Sequence, residues 1–273
     1  MGIRASLMGL ILKTLPDKQF KSLVRIVDNI NGYGSTSIEL EVYYFLSSYN
    51  RFFEEQMHVI DIGGHHGAWT LELIKKSKSF DHQLTGAQNY AVKQNNLMTI
   101  IVIEPNKFNF KILKDNLKKR KNLKLLNLAV GEKSGWAHLC SDTKTSSTSS
   151  ISSEIENKKH KFCETVKVKS LMAILDKNPR INSIKMDIEG SEFSVLNSIN
   201  VNKTNLKLIQ FEFGNPPIFR NISFINYFQN FYDYFANYNW KLFRMTSRGL
   251  IEITEYSCDL ENRLPSNYLA IRL

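Results

Sequence analysis

An α/β domain around a mostly parallel sheet is the fold this sequence predicts, on three observations. From Met57 onward, short β-rich runs alternate with helical stretches, the signature of β-α-β units. These runs are largely continuous and apolar, as strands covered on both faces must be. The first, His58-Val59-Ile60-Asp61-Ile62, leads through a carboxylate into a tight turn, Gly63-Gly64-His65-His66-Gly67, that opens a helix. In open α/β sheets, ligands bind at that carboxyl edge.

Residues 1–50 read as helical, with Phe20, Leu23, Val24, Ile26 and Val27 at helical spacing and a break from Asn31-Gly32 to Ser37. They are expected to form an N-terminal helical cap, leaving 51–273 as the main domain. After the glycine turn, a helix runs from about Ala68 to Lys76. The second strand, Thr99 to Glu104, leads through Pro105 into an amphipathic helix. Further strands are expected at Leu123 to Val130, Ser183 to Ile188 and Leu206 to Phe213, with closing strands at Trp240 to Met245, Leu250 to Thr254 and Tyr268 to Leu273. Two stretches interrupt this order. Ser79 to Asn96 is polar and aperiodic and reads as an inserted surface loop, and Thr143 to Ser153 is a Ser/Thr-rich segment that reads as a mobile solvated loop, a lid being the alternative.

Composition narrows the classes. An apolar fraction of 42% and a charged fraction of 23% suit a globular chain and exclude a wholly disordered or fibrous one. The net charge of +10 could draw nucleic acid, but the lysines fall in scattered groups without interleaved aromatics, so nucleic acid is the less favoured partner. Cys140, Cys163 and Cys258 are an odd count without paired spacing, so neither a disulfide framework nor a cysteine zinc site is expected, and a reducing, cytoplasmic setting is. No run reaches membrane-spanning length, so stable membrane insertion is not expected. Oligomeric state is not readable from the chain.

The glycine turn carries the chemistry. Gly63, Gly64 and Gly67 keep side chains out of the place where a cofactor must approach the backbone. The pattern is Asp-x-Gly-x-x-x-Gly, not Gly-x-Gly-x-x-Gly, and Glu104 follows Gly67 by 37 positions instead of the roughly 20 that a nicotinamide dinucleotide site uses. An acid inside the turn, Asp61, repels a pyrophosphate and attracts an ammonium. Glu104, at the second strand's end, is placed to accept two ribose hydroxyls. The alternative is that Asp61 and Glu104 only cap the following helices.

These residues resemble the FkbM family of methyltransferases. The matching pieces are Val59 to Gly67, Ile103-Glu104-Pro105-Asn106, Asn127 to Gly135, Val168-Lys169-Ser170-Leu171, Ile184 to Glu192 and Phe211-Glu212, over roughly Met57 to Gly214. Lys185-x-Asp187-x-Glu189-Gly190-x-Glu192 is the most specific of them. His65-His66 departs from the commoner Ala-Asn type of turn, and the loop before Thr99 is longer than usual. The resemblance implies a class I Rossmann-like fold, with a mostly parallel seven-stranded sheet and helices on both faces. It further implies S-adenosylmethionine (SAM) as methyl donor and O-methylation of a hydroxyl on a sugar, glycan or other small metabolite. Cofactor contacts are then expected from Asp61, Gly63, Gly64, Gly67 and Glu104, with Ala129 beside the adenine.

Methyl transfer to an alcohol needs positioning and a place for the acceptor's proton. Asp187, at the end of the fourth strand, is the leading candidate for that proton, with Glu189 holding the turn and Lys185 pairing with either acid; a purely structural acid network is the alternative. Asp187, Glu189 and Glu212 could also gather a divalent cation, though no spacing requires a metal. His65 and His66 read as packing within the cofactor loop. Two competing readings remain: an RNA methyltransferase, and a non-catalytic SAM-binding protein.

Overall fold

The computed structural model describes residues 36–79, 98–120, 122–141, 143–145, 150–152, 162–214, 227–257, 260 and 266–273. The expected helical pattern before residue 36, the polar insertion of Ser79 to Asn96 apart from Ser79 itself, and Cys258 lie outside these residues. In chain order the elements are α1 (Ile38–Phe52), β1 (Val59–Ile62), α2 (Ala68–Ser79), β2 (Ile100–Ile103), α3 (Lys107–Leu117), β3 (Leu123–Leu126), β4 (Ala129–Gly131), β5 (Gly135–Ser141), β6 (Ser150–Ser152), β7 (Phe162–Ser170), α4 (Leu171–Asp176), β8 (Ser183–Met186), α5 (Glu192–Asn197), β9 (Leu208–Phe213), α6 (Tyr227–Asn237), β10 (Trp240–Thr246), β11 (Gly249–Glu252) and β12 (Ser266–Arg272).

The main sheet has the order β11-β10-β12-β9-β8-β1-β2-β3. The five strands from β9 to β3 are parallel, while β12 runs antiparallel between β9 and β10. This is the expected seven-stranded, mostly parallel sheet, with β11 added at one edge. From β1 the chain steps outward through β2 and β3, then returns to β8 and β9 on the other side. The order therefore reverses between β1 and β8, where a crevice opens at the strands' carboxyl ends.

Strand alternation sorts the core into two layers. Ile60, Ile62, Ile101, Ile103, Ile184, Met186, Ile209 and Phe211 face α4, α5 and α6. Val59, Ile100, Val102, Leu208, Leu269 and Ile271 face α1, α2 and α3. Helix α1 is therefore one of the face helices: Phe45 and Tyr49 are fully buried, and Phe45 meets Trp69 of α2 edge to face at 5.1 Å between ring centroids. Each such aromatic contributes about 1.5–3 kcal/mol through burial.

Three expectations need correction. The strand expected from Leu123 to Val130 breaks at Asn127, whose side-chain amide donates to the carbonyls of Glu104 and Pro105 at 2.9 Å each. The chain beyond it enters a second sheet, β4-β7-β5-β6, which the sequence did not announce. Within the Ser/Thr-rich segment, Ser150–Ser152 forms a strand paired with β5 instead of belonging to a mobile loop. Cys140 and Cys163 are partners in the β5–β7 register and are joined by a disulfide, S–S 2.06 Å. The reading of unpaired thiols, and with it the premise for a reducing compartment, falls. Among the described residues, no helix is long and apolar enough to cross a membrane.

Candidate active site

The crevice is built from two strand-to-helix turns and the ion cluster between them. Asp61 is fully buried at the end of β1 and accepts a 2.6 Å hydrogen bond from the Thr70 hydroxyl of α2. Parallel pairing sets Asp61 opposite Lys185 of β8, and the Lys185 ammonium lies 3.5 Å from Asp61 Oδ1 and 3.3 Å from Asp187 Oδ2. It also donates to the Gly63 carbonyl at 3.5 Å. Burial alone would strip the charge from Lys185; Asp187 and Asp61 outweigh it and hold the ammonium above its ordinary pKa. The cation that Asp61 meets is thus the protein's own.

The first turn, Gly63 to Gly67, follows β1. Gly63 and Gly64 both donate to the Ile103 carbonyl, at 3.0 and 2.9 Å. Gly63 has φ +82°, and a Cβ there would lie 1.8 Å from the Asp187 carbonyl oxygen. A Cβ on Gly64 would lie 2.3 Å from Val102, and one on Gly67 2.8 Å from Leu113. These residues are bare because strands and helices close on them, a reason separate from any cofactor's approach. His65, at φ +46°, donates its backbone N–H to Glu104 Oε2 at 2.9 Å, and its ring stacks on His66 at 3.8 Å. His66 Nε2 lies 3.2 Å from Asn109 Oδ1, and its carbonyl accepts from Asn116 at 2.9 Å. Burial, then the neighbouring His66, lowers the pKa of His65. Both histidines also line the cavity between this turn and the next.

Glu104 spans this turn and the next helix: Oε1 accepts from the Asn106 N–H and Oε2 from the His65 N–H, each at 2.9 Å. Burial pushes its carboxyl up to about 7 against these bonds. The second turn follows β8. Glu189 sits in the left-handed region at φ +57° and Gly190 at φ +99°. Glu192 holds them, accepting from Ile188 N–H at 2.7 Å and Gly190 N–H at 2.8 Å. Burial, with Asp187 nearby, raises Glu189 to about 7. Glu192 is raised to about 7, again chiefly by burial, and Glu212 at the end of β9 is raised by burial and by Asp187, Glu189 and Glu192.

Between the turns opens a cavity of about 240 Å³. Of the residues expected from sequence, Gly63, Gly64, Glu104, Ala129, Lys185, Asp187 and Glu189 line it. Asp61 and Gly67 lie behind its wall, the former under Lys185 and the latter against α3. The wall also includes Leu139 of the second sheet, and Ile38 and Glu41 of α1, which the sequence reading missed. The signal for Glu41 was present: an acid lies between Ile38 and Phe45, on the apolar stripe of an amphipathic helix. Among the described residues, no group of three or more His, Cys, Asp or Glu is arranged to hold a metal ion. The divalent cation that Asp187, Glu189 and Glu212 could have gathered finds no support among the described residues.

The family model for the methyltransferase FkbM domain matches residues 61–242. The chain belongs to the FkbM methyltransferase family. It is accordingly a SAM-dependent methyltransferase, and the matched residues do not include α1. Solved structures to which the chain is similar include precorrin-6y C5,15-methyltransferase from Geobacter metallireducens, 12% identical, covering 85% of this chain and 88% of that one with a TM-score of 0.41. A SAM-dependent O-methyltransferase from Thermotoga maritima is 9% identical, with 90% and 70% covered and a TM-score of 0.42. An O-methyltransferase from Bacillus cereus, solved with S-adenosylhomocysteine (SAH), is 7% identical, with 95% and 93% covered and a TM-score of 0.43. A comparison with curated proteins finds no match.

Proposed function

We propose that this FkbM methyltransferase moves the methyl group of SAM to a hydroxyl of a small molecule or glycan. The observation that carries the reading is the charge of the cavity. Among the described residues, Glu41, Glu104, Asp187 and Glu189 line it against one lysine, Lys185, and two histidines, His65 and His66. Such a wall suits a cofactor bearing an ammonium and a sulfonium and repels pyrophosphate. It also disfavours a phosphate-rich acceptor, which argues for a small hydroxylic substrate over RNA.

When bound, SAM supplies a methyl group on a cationic sulfur. The chain's own residues do the rest. Beyond its bonds from the Asn106 and His65 N–H groups and from the Asn109 side chain, Glu104 retains accepting capacity for a ribose hydroxyl. Ala129 and Leu128 form the wall for the adenine, and Gly63 and Gly64 line the cavity beside the amino-acid end. Asp61 and Gly67 act from behind, fixing Lys185 and the turn.

At the other end, Glu189 lines the cavity with a carboxyl poised near neutral pH. It takes the acceptor's proton as the O–H bond gives way to the new C–O bond and the C–S bond breaks. Asp187 is held by Lys185 and orients the hydroxyl, so the proton passes to Glu189 and not to Asp187, the leading sequence candidate.

Calorimetry with SAH, and with Asp61→Ala as control, tests the cofactor assignment; the absence of binding would overturn it. Tritiated SAM incubated in parallel with RNA and with a glycan and metabolite extract tests the acceptor. Label in the small-molecule fraction supports the reading. Label confined to RNA, or no transfer despite binding, overturns it.

A further inference from the structure

The SAM reading needs an anion for the cofactor's α-ammonium, and Asp61, the acid the sequence offered, is spent. Its Oδ2 accepts from the Thr70 hydroxyl, its Oδ1 makes no hydrogen bond and faces the Lys185 ammonium in an ion pair at 3.5 Å, and it does not line the cavity. Glu41 does line it. Its side chain reaches the wall from α1, outside the residues that define the family match.

The carboxylate of Glu41 is aimed by neutral groups on both sides. Oε1 accepts from the Thr36 hydroxyl at 3.0 Å and Oε2 from the Gln210 amide at 3.2 Å. Gln210 is itself fully buried and tied to Asn267 Oδ1 at 3.1 Å, so it has little freedom to swing away. Neither donor carries a charge, and each carboxylate oxygen keeps an accepting direction for a further partner. Burial pushes the carboxyl above its ordinary pKa, and the Thr36 bond and Lys185 only work against that shift. Around Lys185 stand three carboxylates, Asp61, Asp187 and Glu41, for one ammonium. The cluster is short of positive charge at the point where the cavity begins.

We infer that Glu41 receives the α-ammonium of the cofactor's amino-acid end, which makes α1 part of the active site. The inference rests on the SAM reading and adds a residue that the family match does not include. It also explains why a carboxylate is kept on the apolar stripe of a helix that otherwise buries Val42, Phe45, Leu46 and Tyr49.

The test uses the full-length protein and three probes: SAH, its des-amino analogue, and 5′-methylthioadenosine, which lacks the amino-acid end. Wild type is expected to bind SAH more tightly than the des-amino analogue. Glu41→Gln, which keeps the shape and hydrogen-bonding capacity, should weaken SAH by about ten- to hundredfold, the scale of a lost charge-assisted hydrogen bond. It should leave the affinities for the des-amino analogue and methylthioadenosine unchanged, and those two also report that the variant is folded. Equal weakening of all three probes, or an unchanged affinity for SAH, would overturn the inference. Failure of wild type to bind any of the three would instead bring down the cofactor reading beneath it.

Discussion

Two turns face each other across the cavity, and each is held by a buried glutamate that takes two backbone N–H groups. Glu104 holds the turn after β1 and Glu192 the turn after β8. Both carboxyls are raised to about 7 by burial. The difference lies in what the backbone does. In the first turn a glycine stands where the strand ends pinch, with a Cβ position 1.8 Å from a carbonyl oxygen. In the second a glutamate, Glu189, stands in a conformation that glycine would adopt more easily, and its side chain lines the cavity. The first turn is shaped by packing at Gly63, although it too holds a side chain in the left-handed region, His65 at φ +46°. The second keeps a costly residue at a functional position, the usual place for such strain.

Substitutions should separate the two cases. Gly63→Ala drives a methyl into the Asp187 backbone and is expected to cost more than about 3 kcal/mol, since strain at positive φ adds to an overlap that backbone alone must relieve. Urea unfolding measures it, and a loss below 1 kcal/mol would mean that the two turns are not locked together. Glu192→Ala removes the bonds to Ile188 and Gly190 and should cost about 1–3 kcal/mol by the same assay. Because the turn it holds carries Glu189, methyl transfer should fall more than SAH affinity does.

The pH dependence distinguishes the two glutamates. A carboxyl raised from 4.5 to about 7 in the fold stabilises the ligand-free protein fully below pH 4.5, and that contribution is lost as pH rises through 7. Both acids contribute to this decline. Glu104, however, must be ionised to accept the ribose hydroxyls. SAH affinity should therefore rise with pH by up to about tenfold per unit below 7, and level off above it. In Glu104→Gln the profile should become shallower, what remains belonging to Glu41, whose carboxyl is also raised by burial, and in Glu192→Gln it should persist; calorimetry from pH 5.5 to 8 shows which. The smallest effect runs the other way. Glu189→Gly should stabilise the fold by about 1 kcal/mol by relieving the left-handed side chain, while slowing methyl transfer. A destabilised Glu189→Gly protein would show that the turn after β8 stores no strain.

The parallel strands were legible because strands buried on both faces are rich in apolar residues, Ile100–Ile103 without a break and Val59–Ile62, Ser183–Met186 and Leu208–Phe213 with one or two polar residues each. Glu104 was legible because an acid ends such a run. The second sheet was not, because β7, Phe162–Ser170, alternates polar and apolar residues and lies partly in water, giving a signal no stronger than that of a loop. The pairing of Asp61 with Lys185 depends on β8 lying beside β1, a neighbour relation across 124 positions that only sheet order creates. Once that neighbour is known, Asp61 becomes a structural anion. The disulfide was missed for the same reason, since a separation of 23 residues says nothing about which strand positions will face each other.

That disulfide turns the stretch from Cys140 to Cys163, including the Ser/Thr-rich segment, into a covalent ring. A single cut anywhere between these two residues opens the ring without releasing a fragment. A chain nicked there would run at its full mass on a denaturing gel without reductant and divide into two pieces with it. β5, which brings Leu139 to the cavity, and β7, which carries Cys163, would remain joined after the damage.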